Sequence, residues 1–179
     1  MNNLKRIDFE VNAKRLELNT VIKPFESEDE ELNDFLLNDA KNYLAEMLAV
    51  TYLIESKTET IAYFCLSNDN IRREVDMETW KKINRKVPNS KRKGSYPAVK
   101  IGRLAVTEKF AGNGFGRLMI RYVESMYHEE NQNSGCRFIT VDAYGNATSF
   151  YERNGFQFFT EKDAGKPTRI MYFDLKSVQ

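Results

Sequence analysis

Apolar residues recur along this chain either every three to four positions, as on one face of a helix, or in short β-rich runs bounded by turn residues. Lys14 to Ile22 reads as a first strand. Ser27 with Glu30 fits a capping box, and acids at Glu28, Asp29, Glu30 and Glu31 suit a helix start. Leu32, Phe35, Leu36, Tyr43, Leu44 and Met47 then continue as a helical stripe. Ala49 to Glu55 and Thr60 to Ser67 look like a hairpin around Ser56 to Glu59. Residues 68–97 read as an insertion with one short helix near Met77 to Ile83.

A second part of the pattern is denser. From Val99 a buried-looking β run feeds a glycine cluster, Gly112, Gly114 and Gly116, which opens a helix. Phe115, Leu118, Met119, Tyr122, Val123 and Met126 form its apolar face; Arg117, Arg121, Glu124 and His128 lie opposite. Asn133, Ser134 and Gly135 close that helix, and Arg137 to Ala143 reads as the next strand, completing a β-α-β crossover. Phe156 to Thr160 and Thr168 to Leu175 finish a mixed sheet.

The glycine loop is the first chemical signal. Glycine lets the backbone approach a ligand closely and adopt unusual dihedrals, and the free amides of the helix's first turn point at an anion placed there. The loop is neither a dinucleotide G-x-G-x-x-G nor an NTP-binding G-K-[ST], because Met119 takes the sixth place when Gly114 is counted first and Arg117-Leu118 follow Gly116. A phosphate-bearing ligand and a bare glycine turn both fit this spacing alone.

Composition and charge narrow the class. The 179 residues, 41% of them apolar, suffice for one substantial core, and a single domain over 1–179 is expected. Cys65 and Cys136 are too few for a disulfide scaffold and join no metal-type cluster with the lone His128. No signal-peptide pattern or membrane-length apolar run is seen, so a cytoplasmic location without membrane contact is the expectation. The charge is uneven: Lys81, Lys82, Arg85, Lys86, Lys91, Arg92, Lys93, Lys100 and Arg103 form a block of nine basic residues with no acid. It reads either as a solvated loop or as a contact for phosphate groups of a co-substrate or nucleic acid.

After the strand Arg137 to Ala143 comes NATSFYERNGF, from Asn146 to Phe156. Asn146 reads as a helix N-cap, Phe150 and Tyr151 fall on a short helix, and Gly155 suits a left-handed C-terminal position. RLAV, GNGFGR and NATSFYERNGF, in this order and spacing, resemble the GCN5-related N-acetyltransferase (GNAT) family. The resemblance covers about residues 15–175. It implies an α/β (α+β) fold: a mixed, mostly antiparallel sheet of six to seven strands, with a splayed parallel central pair and flanking helices.

The resemblance also implies roles. Acetyl-CoA is the expected co-substrate, with no metal; Leu104, Ala105 and Val106 would pair with its pantetheine arm. The loop of Gly112, Asn113, Gly114, Phe115, Gly116 and Arg117 would cradle the pyrophosphate, Asn146 would contact the cofactor, and Tyr151 would protonate the departing thiolate. Ala111 departs from the family, which usually carries Gln or Arg there, and weaker affinity for the co-substrate is expected. Read without the resemblance, Tyr151 fits a packed aromatic equally well.

The implied reaction is attack of a neutral amine on a thioester, with a strand amide near Val106 as oxyanion donor. No general base is assigned: Asp142 and Glu152 suit surface groups or caps as well, and His128 belongs to the polar stripe several turns from the loop. The expected acceptor is a small-molecule or peptide amine. The alternative is the amino group of aminoacyl-tRNA, because the DFLLNDAKNYLAEM helix, the insertion and Tyr96-Pro97 resemble the aminoacyl-tRNA-acetylating GNAT toxins. That alternative brings an antitoxin partner; a homodimer is compatible with either. A non-catalytic acyl-CoA-binding domain is the third reading.

Overall fold

The computed structural model describes residues 13–87, 93–129 and 134–177, apart from the side chains of His128 and Glu129. Lys91 and Arg92 of the basic block, Asn133 and the His128 side chain lie outside what is described. Seven strands form one sheet in the order β1-β2-β3-β4-β5-β7-β6. These are β1 (Lys14–Arg15), β2 (Val50–Glu55), β3 (Thr60–Arg72), β4 (Ser95–Val106), β5 (Phe138–Tyr144), β6 (Gln157–Phe158) and β7 (Thr168–Asp174). All neighbours are antiparallel except β4 and β5.

Strand alternation sends successive side chains to opposite faces and so gives the sheet two cores. One face carries Phe64, Val99, Ile101, Ile139 and Met171 against Met119, Ile120 and Val123 of α4 (Phe115–Glu129). The other face has two clusters. Leu53, Tyr63, Cys65 and Ala105 meet Phe35 and Leu36 of the N-terminal helical segment; Ile71, Ala98, Phe138 and Tyr172 meet Trp80 and Ile83. The last two residues belong to α3 (Met77–Arg85).

Several local expectations are corrected. The N-terminal helix is capped by Asp29, which accepts from the amides of Glu31 and Leu32, while Ser27 is engaged by Asn33. This helix is α1 (Glu30–Asp34), a π-turn over Phe35–Asp39, and α2 (Ala40–Ala45). The extra residue in the π-turn rotates the phase of the stripe, so Ala40 is buried; Met47 follows the end of α2 and emerges, 92% exposed, at a φ of 55°. On α4, Ile120 is buried and Leu118 turns outward. Only Lys14–Arg15 of the first expected strand pairs. The expected insertion is shorter at both ends, because β3 runs on to Arg72 and pairs with β4 from Ser95.

Candidate active site

The parallel pair is the feature that makes a site. β4 and β5 are in register only at Ala98–Phe138, Val99–Ile139 and Lys100–Thr140. Beyond Lys100 and Thr140 the two strands part, and the Lys100–Asp142 ion pair spans the fork. Past the fork, β4 stays paired with β3, and Thr107 N–H donates to Ile61 O at 2.9 Å. Antiparallel ladders alternate between residues that exchange both hydrogen bonds and residues that turn both groups away. Leu104 and Val106 therefore aim their N–H and C=O into the gap, whereas Ala105 spends its own on β3 and buries its methyl group against the N-terminal helix cluster.

The turn after β4 completes a cradle on the α4 side. Gly112 and Gly114 have φ of 75° and 86°, where a side chain is disfavoured. The first i to i−4 bond of α4 is Leu118 N–H to Gly114 O at 3.0 Å, which leaves the amides of Phe115, Gly116 and Arg117 as first-turn donors without a helical acceptor. Gly116 serves differently: a β-carbon there would stand 3.0 Å from the Phe150 ring. Around these groups lies a cavity of about 540 Å³, lined also by Leu104, Val106, Phe110 and Phe150, with Arg117, Arg153 and Asn154 at its polar side. Neither arginine has an acidic partner among the described residues.

A second cavity of about 250 Å³ occupies the gap itself and shares Leu104 with the first. Ile101, Val141, Ala143 and Tyr151 line it from the α4 side, Glu31, Arg103, Asp142 and Tyr144 from the other, so it passes through the sheet. Tyr151, on α5 (Thr148–Arg153), is 7% exposed and packs edge-on against Phe150 and Phe156. Burial raises its pKa far above the ordinary phenol value, and its hydroxyl makes no hydrogen bond among the described residues. It is a neutral donor held in an open cavity.

Other sequence-derived residues fall elsewhere. Asn113 is exposed, its amide nitrogen donating to Ala111 O, and it lines neither cavity. Asn146 is exposed in the 3-10 turn Gly145–Ala147 and does not cap α5; Ala147 is the N-cap, without a side-chain bond. Of the carboxylates weighed as bases, Asp142 reaches the gap and Glu152 is exposed outside both cavities. The sequence reading missed Phe110, Arg153 and Asn154 in the first cavity, although the last two belong to the NATSFYERNGF run, and Glu31 and Tyr144 in the second.

Residues 89–169 match the family model described as an acetyltransferase (GNAT) domain. No curated protein matches the chain by sequence. Among solved structures, the fold is similar to AtaT complexed with acetyl-methionyl-tRNA (20% identity, 94% of this chain, 97% of that one, TM-score 0.78). A tyrosine-to-phenylalanine mutant of KacT is similar at 20% identity over 93% and 96%, TM-score 0.76. So is a mutant AtaT toxin bound to the C-terminus of the antitoxin AtaR and acetyl-CoA, at 18% identity over 94% and 96%, TM-score 0.74. Family match and fold point the same way: residues 89–169 carry the likeness to the acetyltransferase (GNAT) domain, and the fold around them is similar to that of the AtaT and KacT structures.

Proposed function

We propose that this protein transfers an acetyl group from acetyl-CoA to a primary amine by direct attack, with Tyr151 as the proton donor. The observation that carries the reading is the buried, unpaired Tyr151 hydroxyl in a cavity that opens from the glycine-loop cradle and crosses the sheet. Acetyl-CoA supplies the acetyl group as an activated thioester. The amides of Phe115, Gly116 and Arg117 bind the pyrophosphate at the positive end of α4, assisted by Arg117 and Arg153. The inward-facing backbone groups of Leu104 and Val106 hold the pantetheine arm as an added strand would be held, and the Val106 N–H donates to the carbonyl oxygen where charge develops. Tyr151 keeps its proton at neutral pH because burial opposes its ionisation, and delivers it to the leaving sulfur. Ala111 lines the cradle without a polar group, so the backbone carries the phosphate contact.

A second reading makes the acceptor the amino group of aminoacyl-tRNA. It is supported by the similarity to AtaT over nearly the full length of both chains, AtaT itself being seen with acetyl-methionyl-tRNA. The basic block also supports it in part. Lys81, Lys86, Lys100 and Arg103 are engaged with Glu78, Asp174, Asp142 and Glu31, but Lys82, Arg85 and Lys93 are exposed and form no ion pair among the described residues. An antitoxin partner and a cytoplasmic setting belong to this reading. The test is transfer of radiolabelled acetyl groups to aminoacyl-tRNA beside a panel of small amines and peptide N-termini. Labelling of small amines alone leaves a metabolite acetyltransferase; labelling of none removes the enzyme reading.

A further inference from the structure

Three carboxylates approach the rim of the gap on the side away from the glycine loop: Asp29, Glu31 and Asp142. Asp29 is committed as the cap of α1, accepting from the amides of Glu31 at 2.9 Å and Leu32 at 3.3 Å. Asp142 is closed against Lys100. Glu31 is arranged differently. Its Oε2 accepts the Tyr144 hydroxyl at 2.8 Å, while Arg103 Nη2 reaches Oε1 only at 3.5 Å, the outer limit of a hydrogen bond. Arg103 is held at that distance, because its guanidinium lies 3.9 Å over the Phe35 ring centroid and 5.7 Å from that of Tyr43. The Glu31 side chain is 62% exposed, so Oε1 has both capacity and access for another donor.

We infer that Glu31 receives the protonated amino group of the acceptor at the far mouth of the gap, where the group releases a proton to solvent before it moves inward towards Tyr151 as the neutral amine. This rests on the acetyl-transfer reading and adds to it a recognition residue from the N-terminal half, outside the segment that matches the GNAT family model. Tyr144 from β5 and Arg103 from β4 orient the carboxylate from the two lips of the opening. An acceptor that arrives as a primary ammonium fits this arrangement; a neutral or anionic one gains nothing from it.

The experiment measures steady-state kinetics with two probes, methionine methyl ester and methionyl-tRNA, for the wild type, Glu31→Gln, Glu31→Asp, Tyr144→Phe and the exposed control Glu152→Gln. Glu31→Gln raises KM for the amine by about tenfold or more, the usual worth of one charge-assisted hydrogen bond. Its kcat, melting temperature and calorimetric affinity for acetyl-CoA stay close to those of the wild type. Glu31→Asp regains part of the loss, Tyr144→Phe loses less than Glu31→Gln, and Glu152→Gln changes nothing. An unchanged KM overturns the inference, as does a KM loss accompanied by loss of acetyl-CoA affinity or melting temperature, which marks Glu31 as a structural clasp. A wild type that acetylates neither probe nor any other amine overturns the proposed function and this inference together. Transfer by the wild type with Glu31→Gln unimpaired overturns only the latter.

Discussion

A β-carbon placed on Gly116 would meet the ring of Phe150 at 3.0 Å, so the first turn of α4 and the side chain of α5 are fitted to each other through a missing methyl group. Both residues line the larger cavity. Gly116→Ala gains about 1 kcal/mol of helix propensity, against about 1–3 kcal/mol for overpacking. Stability therefore changes little, while the displaced ring intrudes on the cradle. The expected outcome is about a tenfold loss of acetyl-CoA affinity, ~1.4 kcal/mol, by calorimetry, with a melting temperature near that of the wild type.

Gly114 has the complementary sensitivity. Nothing lies within 4 Å of an added β-carbon there, but φ is 86°. Gly114→Ala costs about 1–2 kcal/mol of backbone strain without filling the cradle. Gly114→Glu adds a negative charge where phosphate is expected and abolishes binding. Equal acetyl-CoA affinity in the two variants would remove this loop as the phosphate site.

Tyr151→Phe keeps the edge-on packing with Phe150 and Phe156 and deletes only the hydroxyl. Turnover falls by on the order of 10²-fold with acetyl-CoA affinity preserved. Because burial raises the pKa, the phenol remains protonated through the ordinary phenol range, so Tyr151 contributes no alkaline fall in kcat up to about pH 10. A wild-type profile falling well below that pH, with the fall absent in the phenylalanine variant, would contradict this environment.

The Arg137–Asp174 pair joins the start of β5 to the end of β7 through two bonds of 3.1 Å. Burial pushes the Asp174 carboxyl upward, but the Arg137 bonds and charge, the Lys176 amide and Lys86 outweigh it, and the net pKa is lowered. A carboxyl depressed in the folded state stabilises above its unfolded value of about 4, and that contribution disappears as pH falls through the folded value. Asp174→Asn destabilises by about 3 kcal/mol at pH 7, since it leaves Arg137 unpaired in a half-buried site. In urea titrations the difference between variant and wild type shrinks below about pH 4.

For the tRNA reading, Lys82, Arg85 and Lys93 replaced together by alanine flatten the salt dependence of aminoacyl-tRNA binding. The change in the log–log slope is about two to three units, at roughly 0.9 or slightly less per phosphate contact. Acetyl-CoA binding is unchanged. Filter binding between low and physiological salt reads the slope, and an unaltered slope excludes these three side chains as phosphate contacts.

The glycine turn, α4 and the hairpin of β2 and β3 were legible because each is written in contiguous residues, as periodicity or as turn chemistry. The π-turn at Phe35–Asp39 was not, because no residue in FLLND distinguishes hydrogen bonding five residues apart from bonding four apart. Met47, correctly spaced for the stripe, ends up in solvent because α2 ends at Ala45 and the chain turns there at a φ of 55°. The glycine cradle was legible for the same reason as the turn: Gly112 to Arg117 are adjacent in sequence. Alternation along β4 separates Ala105 from Leu104 and Val106, a distinction that requires knowing which side β3 occupies. The rim formed by Glu31, Arg103 and Tyr144 had no local signature, since those residues meet only after three separate elements are folded.

The brevity of the β4–β5 register divides the sheet into two assembly units. Residues 138–174 close β5, β7 and β6 by antiparallel pairing among themselves, and β1 to β4 do the same on their side. Within the sheet only three registered pairs join the halves, with α4 packed across one face and the Trp80 cluster across the other. Such a seam is where sub-global opening begins. The amide proton of Val99, whose backbone faces β5 as the Pro97 carbonyl does, should therefore exchange through a lower-energy opening than those at the centre of β3. Acetyl-CoA lying along β4 would slow that exchange from the open side, making the seam a native reporter of co-substrate occupancy.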